Sequence, residues 1–366
     1  MFELTAKNAS EYLLARNQIT SADVLIQELG DGVSSMVLKV LDLNAGEPVG
    51  TDLRTSGQIK RGVPDQRMRA GKCIVLKQPR APLHVAAARQ TDGDRIGPER
   101  EALRRFSEFM PTETLPRLLW EDKENRVLAI SPAPAEYLNL KTSLLAGKGR
   151  RWWITQAARW LAHLHRKTSA DLAGARCADF QFFEQQQTAP YFHHLRSKHP
   201  AVASQLGDLC QFLLSDPNCL IHGDYSPKHI LVSPEANDYT GVFVVDFKMV
   251  SKGRSIFDIA TIISHLLLNG FYRAPGWRPF MLMADEAWHA YSQAAGPTLI
   301  AAHTDWGAIL LGSRLLAHID DDVPEVYLTD EPRRQAVRAC ALELLFSGGS
   351  LDDALDIVGG HLSLIE

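Results

Sequence analysis

The sequence predicts an α+β protein with a small β-rich N-terminal lobe, a short hinge and a larger, mainly α C-terminal lobe. Three observations carry that prediction. The chain has 366 residues, enough for two hydrophobic cores at about 150 residues per domain. Its first 130 residues contain short runs with period-2 alternation, whereas the remainder is dominated by apolar residues spaced three and four apart. Between the two patterns lies Ser131-Pro132-Ala133-Pro134-Ala135, a turn-rich join. The expected divisions are therefore 1–130, 131–135 and 136–366.

Taken in order, the elements follow from local pattern. Ala9, Tyr12, Leu13 and Arg16 align on one side of a short helix. Strands are expected over Val24–Leu29 and Met36–Leu43, the second with Met36, Leu38, Val40 and Asp42 on one face. Residues 44–71 are polar, Gly-rich and aperiodic, which reads as a long loop. A dense β-branched run gives a third strand, Cys73–Lys77, and a helix with an early proline follows over Pro98–Met110. Leu118–Trp120 and Val127–Ile130 supply two further strands. Beyond the join, Trp153, Ala157, Trp160, Leu161 and Leu164 form a helical stripe expected to lie in the core. Short β runs then interrupt the helices at Leu220–Ile221 with Ile230–Val232, and at Val242–Asp246. Helical patterns resume at Ile256–Leu268 and continue almost to the last residue.

Composition excludes several classes. With 45% hydrophobic and 22% charged residues the profile is that of a globular chain, not a disordered one. A net charge of −4 gives no basic excess for nucleic acid. Cys73, Cys177, Cys210, Cys219 and Cys340 follow neither a C-x-x-C nor a zinc spacing, which fits a reducing compartment. No basic segment leads into an apolar one at the start, and stretches such as Ile259–Leu268 are too short to span a bilayer. The expectation is a cytoplasmic protein with neither membrane nor nucleic acid as partner.

Three segments carry chemistry. Gly30, Gly32 and Ser35 match G-x-G-x-x-[GS], but between two strands instead of between a strand and a helix. That context argues for a hairpin, Gly30 to Ser35 with Ser34 inside it, folding over phosphates; a plain β-turn carries the same glycines. Lys77 ends the next strand and can reach phosphates if a carboxylate holds it. Glu99 is the candidate, because it shares a helical face with Ala102, Leu103 and Phe106, whereas Glu101 points away. The strongest signal runs from His222-Gly223-Asp224 to Lys228-His229, then to Val245-Asp246-Phe247. Two carboxylates at the ends of neighbouring strands suit phosphoryl transfer: one accepts a hydroxyl proton or orients the nucleophile, and the other holds Mg²⁺. Lys228, next to His229, reads either as a solvated lysine or as a contact to the transferred phosphoryl group. His163, His165, His193 and His194 read as packing or surface residues; the acidic stretch Ile319–Glu325 reads as a solvated loop between two helices, the alternative being a flank of the acceptor site.

The string from His222 to Val232, with Val245-Asp246-Phe247 and Phe257-Asp258-Ile259-Ala260, resembles the aminoglycoside phosphotransferase superfamily. Choline, homoserine, fructosamine and methylthioribose kinases are members, and they share a protein-kinase-like fold. The resemblance spans nearly the whole chain, from Ser10–Ile19 through Glu99–Phe106 and Arg151–Arg166 to Gly312–Leu328. It implies Asp224 as catalytic base, Asp246 as magnesium ligand, and Lys77 with Glu99 as the pair that positions phosphates. It further implies a hinge at Ser131 and Ala133 whose backbone meets adenine, and Asp258 as a structural brace of the catalytic loop. Two positions depart from the pattern. His229 stands where the family has a metal-binding Asn, and imidazole suits Mn²⁺ better than Mg²⁺. Lys248 stands where many relatives carry an acid. The expected function is transfer of the γ-phosphoryl of ATP, with GTP as the other donor, to a hydroxyl of an aminoglycoside-, sugar- or choline-like molecule. The alternative is a nucleotide-binding pseudokinase with a regulatory or scaffolding role. Too few residues separate Asp246 from Asp258 for the activation loop of a protein kinase.

Overall fold

The computed structural model describes residues 2–29, 35–43, 72–80, 96–172, 184, 189–235, 241–301, 305–321, 325 and 327–365. Gly30, Gly32 and Ser34, the 44–71 segment and Cys177 lie outside the described residues. The chain divides into two compact units, Met1–Val85 with Pro116–Pro132, and Ala86–Leu115 with Ala133–Glu366.

The first unit is an antiparallel sheet in the order β1-β2-β3-β5-β4, formed by Val24–Glu28, Ser35–Asp42, Lys72–Pro79, Val127–Ile130 (β5) and Leu118–Asp122 (β4). Alternation in β2 works as the pattern demands: Met36, Leu38, Val40 and Asp42 are buried and the residues between them are not. The buried face meets α1, Ala9–Leu14, in a core that includes Leu4, Tyr12, Leu13, Leu38, Ile74, Leu76, Val127 and Ala129. Each large side chain there contributes about 1.5–3 kcal/mol of burial. Asp42 is buried with them, and its carboxylate accepts the Thr20 N–H at 3.3 Å. Gln78 takes the Leu4 N–H on its amide oxygen and donates to the Phe2 and Asn125 carbonyls, which fastens the N-terminal segment to β3. β4 extends to Asp122, past the predicted Trp120, because a register shift between Leu118 and Trp120 lets the ladder continue. Asp122 then accepts from Tyr12 Oη and Asn125 Nδ2, both at 2.8 Å, and pairs with Arg16.

In the second unit α2 covers Gly97–Phe106 and buries Glu99, Ala102, Leu103 and Phe106, the predicted inward face. It stops short of the expected Met110. Ser107 Oγ donates back to the Arg104 carbonyl at 2.7 Å, and Pro111 lies just beyond. The helix Ile256–Arg273 is buried almost all round and forms the centre of the unit. The helices Arg278–Ala295 and Gly307–Asp320 pack on it, and α4, Arg151–Ser169, packs on Arg278–Ala295. Trp153 and Trp160 of α4 are core residues, as their spacing predicts. Trp153 Nε1 donates to the Ser233 carbonyl at 2.7 Å, and Trp160 stacks on Tyr225.

Among the described residues, five short strands complete this unit: β6 (Leu138–Asn139), β7 (Cys219–Ile221), β8 (Ile230–Val232), β9 (Val242–Val244) and β10 (Ser251–Gly253). They pair as β6-β8-β9 and as β10-β7. Asp224 and Asp246 therefore do not leave neighbouring strands, as the sequence suggested, but follow β7 and β9 in separate sheets. A 3₁₀ turn at Pro227–His229 redirects the chain so that β8 joins the other sheet. The acidic stretch is a second correction. Asp320 ends the helix Gly307–Asp320 buried, with its carboxylate taking bonds from Arg338 and His199. Burial alone would raise that carboxyl, but the Arg338 bonds outweigh it and hold it below the ordinary range. Among the described residues, no helix is long and apolar enough to cross a membrane.

Candidate active site

The site begins with a buried acid. Asp258, in the first turn of the central helix, accepts the His222 N–H at 2.6 Å and the Gly223 N–H at 3.0 Å. His165 Nε2 lies 3.1 Å from the same carboxylate, and its Nδ1 is 2.8 Å from Tyr291 Oη. One carboxylate thus satisfies two consecutive loop amides that burial would otherwise leave unpaired. Gly223 is required here: its φ is +81°, and a Cβ would meet the Met249 carbonyl oxygen at 2.3 Å.

His222 ties this loop to the next. Nε2 donates to the Val245 carbonyl at 3.1 Å and Nδ1 accepts the Asp224 N–H at 3.3 Å, which fixes a neutral tautomer. Burial pushes the ring below the ordinary imidazole range, against the pull of Asp258. The Val245 N–H in turn donates to the His229 carbonyl at 3.0 Å. At the end of this segment Asp246 adopts a left-handed backbone, φ +69° and ψ +63°, sparsely populated for a non-glycine residue and common at functional turns. Phe247 follows it into the core, edge-on to Phe106, while its N–H donates to Glu99 Oε1 at 3.2 Å.

These constraints bring the two carboxylates to the two ends of one imidazole. His229 Nδ1 is 2.9 Å from the Asp224 carbonyl and 3.5 Å from its Oδ2. Nε2 is 3.1 Å from Asp246 Oδ2. Each carboxylate also has its own lysine: Lys228 Nζ is 3.1 Å from Asp224 Oδ2 and Lys248 Nζ is 2.8 Å from Asp246 Oδ2. Burial alone would raise the Asp224 carboxyl, but the charges of His229 and Lys228 outweigh it and hold it well below the ordinary carboxylate range. Burial would lower Lys228, but the charge and hydrogen bond of Asp224 outweigh it and hold the lysine above its ordinary range. At neutral pH Asp224 is an ionised, partly exposed carboxylate beside the Lys228 cation.

The remaining predicted residues fall in both units. Lys77 is buried on β3, opposite Val37 of β2 and Leu128 of β5. Ser35 opens β2 opposite Pro79. At the end of β5 the Ser131 N–H donates to the Arg117 carbonyl and Ser131 Oγ accepts the Arg117 N–H, both at 2.9 Å. Pro132 ends the first unit, and Ala133 lies half-buried in the second. His165, expected as a packing or surface residue, and the His222 ring, for which the sequence pattern gives no role, are both buried and hydrogen-bonded. A signal existed for His165. It stands on the apolar stripe of α4, four residues from Leu161, and a polar residue on such a face needs a buried partner.

The profile of the phosphotransferase enzyme family matches residues 58–303. No curated protein matches the chain. Among solved structures, amicoumacin kinase hAmiN, bound to AMP-PNP, Ca²⁺ and Ami, superposes with a TM-score of 0.55 at 11% identity, over 93% of this chain and 95% of the other. The GDP complex of aminoglycoside 2'-phosphotransferase-IIIa gives 0.50 at 13% identity, over 94% and 98%. Choline kinase LicA from Streptococcus pneumoniae gives 0.50 at 12%, over 93% and 98%. At such identities the likeness speaks to the fold, which is the kinase-like α+β fold with a β-sheet lobe and a helical lobe. The family profile covers well over half of the sequence, and the chain belongs to the phosphotransferase enzyme family.

Proposed function

We propose that this chain transfers the γ-phosphoryl group of ATP, or of GTP, to a hydroxyl of an aminoglycoside-, sugar- or choline-like molecule. One observation carries the reading: Asp224 and Asp246 converge on His229, each with a lysine at hydrogen-bond distance. The nucleotides bound by the amicoumacin kinase and the aminoglycoside phosphotransferase support a nucleoside triphosphate as donor. In this reading residues 1–130 form the nucleotide lobe, with Gly30, Gly32, Ser34 and Ser35 over the phosphates and Lys77, held by Glu99, on them. Residues 131–135 are the hinge, with Ser131 and Ala133 beside the base. Residues 136–366 carry the catalytic loop and acceptor site.

Asp224 accepts the acceptor's hydroxyl proton as that oxygen bonds to the γ-phosphorus and the bond to the β–γ bridging oxygen breaks, releasing the nucleoside diphosphate. Lys228 keeps Asp224 ionised and offers positive charge to the transferring group, and Lys248 places a second positive charge beside Asp246. His229 holds both carboxylates in register. The donor set fits a divalent cation: Asp246 supplies hard oxygens suited to Mg²⁺, and the neighbouring His229 nitrogen suits Mn²⁺ as well. Bound there, such an ion neutralises triphosphate charge.

Replacing Asp224 by Asn should lower turnover by about 10²- to 10⁴-fold, the usual worth of a general base, with thermal melting unchanged. Asp246→Ala should also lose turnover while remaining folded. Full activity in both purified variants overturns the mechanism. A second reading, a nucleotide-binding pseudokinase, draws on the lysine already paired to each carboxylate. Calorimetric ATP binding without turnover on a broad panel of hydroxyl acceptors would favour it.

A further inference from the structure

A second group of metal-ligating side chains lies in the helical unit, apart from Asp246. His265 of the central helix, His318 of the helix Gly307–Asp320 and Glu325 beyond it each present one ligand atom, and the three atoms lie within 4.8 Å of one another. His265 Nδ1 is 3.8 Å from Glu325 Oε1, and the two imidazole rings are 4.3 Å apart at their centroids. In a tetrahedral zinc site with bonds of about 2.0–2.1 Å, ligand atoms stand about 3.4 Å apart. Small side-chain adjustments therefore close the set.

The surroundings are built as metal ligands require. Ser264 Oγ donates to the Thr261 carbonyl at 2.8 Å, so it accepts at 3.0 Å from His318 Nε2, which leaves the lone pair on Nδ1. An outer residue that fixes the ring proton in this way is the usual support of a histidine ligand. Glu325 is anchored twice: its N–H donates to the His318 carbonyl at 2.9 Å, and Lys141 Nζ donates to Oε2 at 2.8 Å. Oε1 remains for an ion. Two imidazoles and one carboxylate make a borderline donor set that selects zinc-class transition ions over Mg²⁺ and leaves a coordination position open.

We propose that His265, His318 and Glu325 bind a divalent transition-metal ion of zinc's class with one position open to an external ligand. The charges of Asp224 and Lys228 act on His265, and that of Glu325 acts on Lys228, so the ion shares the electrostatic neighbourhood of the catalytic loop. An amine or hydroxyl of an acceptor is the chemistry that open position takes. The site stands on its own geometry and survives if the phosphotransferase reading fails.

The test uses the full-length Asp246→Ala chain, stripped with a chelator and titrated calorimetrically with Zn²⁺, alongside Co²⁺ followed by its visible absorption. One equivalent of Zn²⁺ and a Co²⁺ spectrum of low coordination number are expected. Glu325→Gln and His318→Ala should abolish both, and Ser264→Ala should weaken Zn²⁺ about 10-fold, the lower end of second-sphere effects. Circular dichroism confirms that each variant is folded, and Glu325→Gln, outside the regular helices, serves if a histidine variant is not. Failure of the Asp246→Ala chain to bind Zn²⁺, or undiminished binding by folded Glu325→Gln, overturns the proposal.

Discussion

Lys77 and Asp224 are both candidate catalytic-machinery residues, and the two units hold them in opposite ways. Lys77 lies mid-strand, zipped between β2 and β5, and it is placed by backbone register opposite Val37 and Leu128. Asp224 lies on a loop with almost no ladder of its own. Its position depends on a chain of buried polar contacts: Tyr291 to His165, His165 to Asp258, Asp258 to two loop amides, and His222 to Val245. The sheet tolerates loss of a contact by small adjustments spread along the strands. The loop lacks that reserve, because a buried donor without its acceptor costs its full desolvation.

The comparison is broken most directly at Asp258. Asp258→Ala leaves the His222 and Gly223 amides unpaired and should destabilise the second unit by about 3–5 kcal/mol, read by urea unfolding. A cost below that of an ordinary surface substitution would mean the polar chain is not what fixes the loop. Leu38→Ala in the sheet core should cost the first unit about 3 kcal/mol through the cavity it leaves, without altering chemistry per folded molecule. Gly223→Ala sharpens the contrast. The left-handed φ and the Met249 carbonyl together should cost about 1–3 kcal/mol and lower turnover more than stability alone explains.

The smallest expected effect concerns acid. Burial would raise the Asp122 carboxyl, but hydrogen bonds from Asn125 and Tyr12 and the Arg16 charge bring it from 3.8 down to about 2. Its folded value is depressed, so the stability it contributes is present above pH 3.8 and is lost as pH falls through about 2. Asp122→Asn should therefore flatten the acid limb of stability over that interval and change little at pH 7. An unchanged acid limb would show that the Asp122 bonds do not couple to folding.

Much of the sheet could be read before the structure, because a period of two is a local property. The alternation in Met36–Asp42 depends only on which residues are apolar, and burial follows it residue by residue. The inward face of α2 was legible for the same reason, down to Glu99. The Asp224 loop could be read as a motif but not as a mechanism of positioning. Nothing local announces that Asp258 Oδ2 takes an amide 36 residues before it, or that His165 crosses 93 residues to brace it. The strand pairing of the second unit was likewise out of reach, since three-residue strands carry too little pattern to choose between partners.

The sequence alone therefore determined the order of elements, the apolar faces and the residue types at the candidate site, all of which are written in short stretches of chain. Tertiary structure alone decided that His229 spans both carboxylates, that Lys228 and Lys248 take one each, and that His265 and His318 meet Glu325. Those arrangements depend on directions of side chains from segments far apart in sequence. A direction becomes fixed only when burial removes the water that would otherwise satisfy every polar group wherever it pointed.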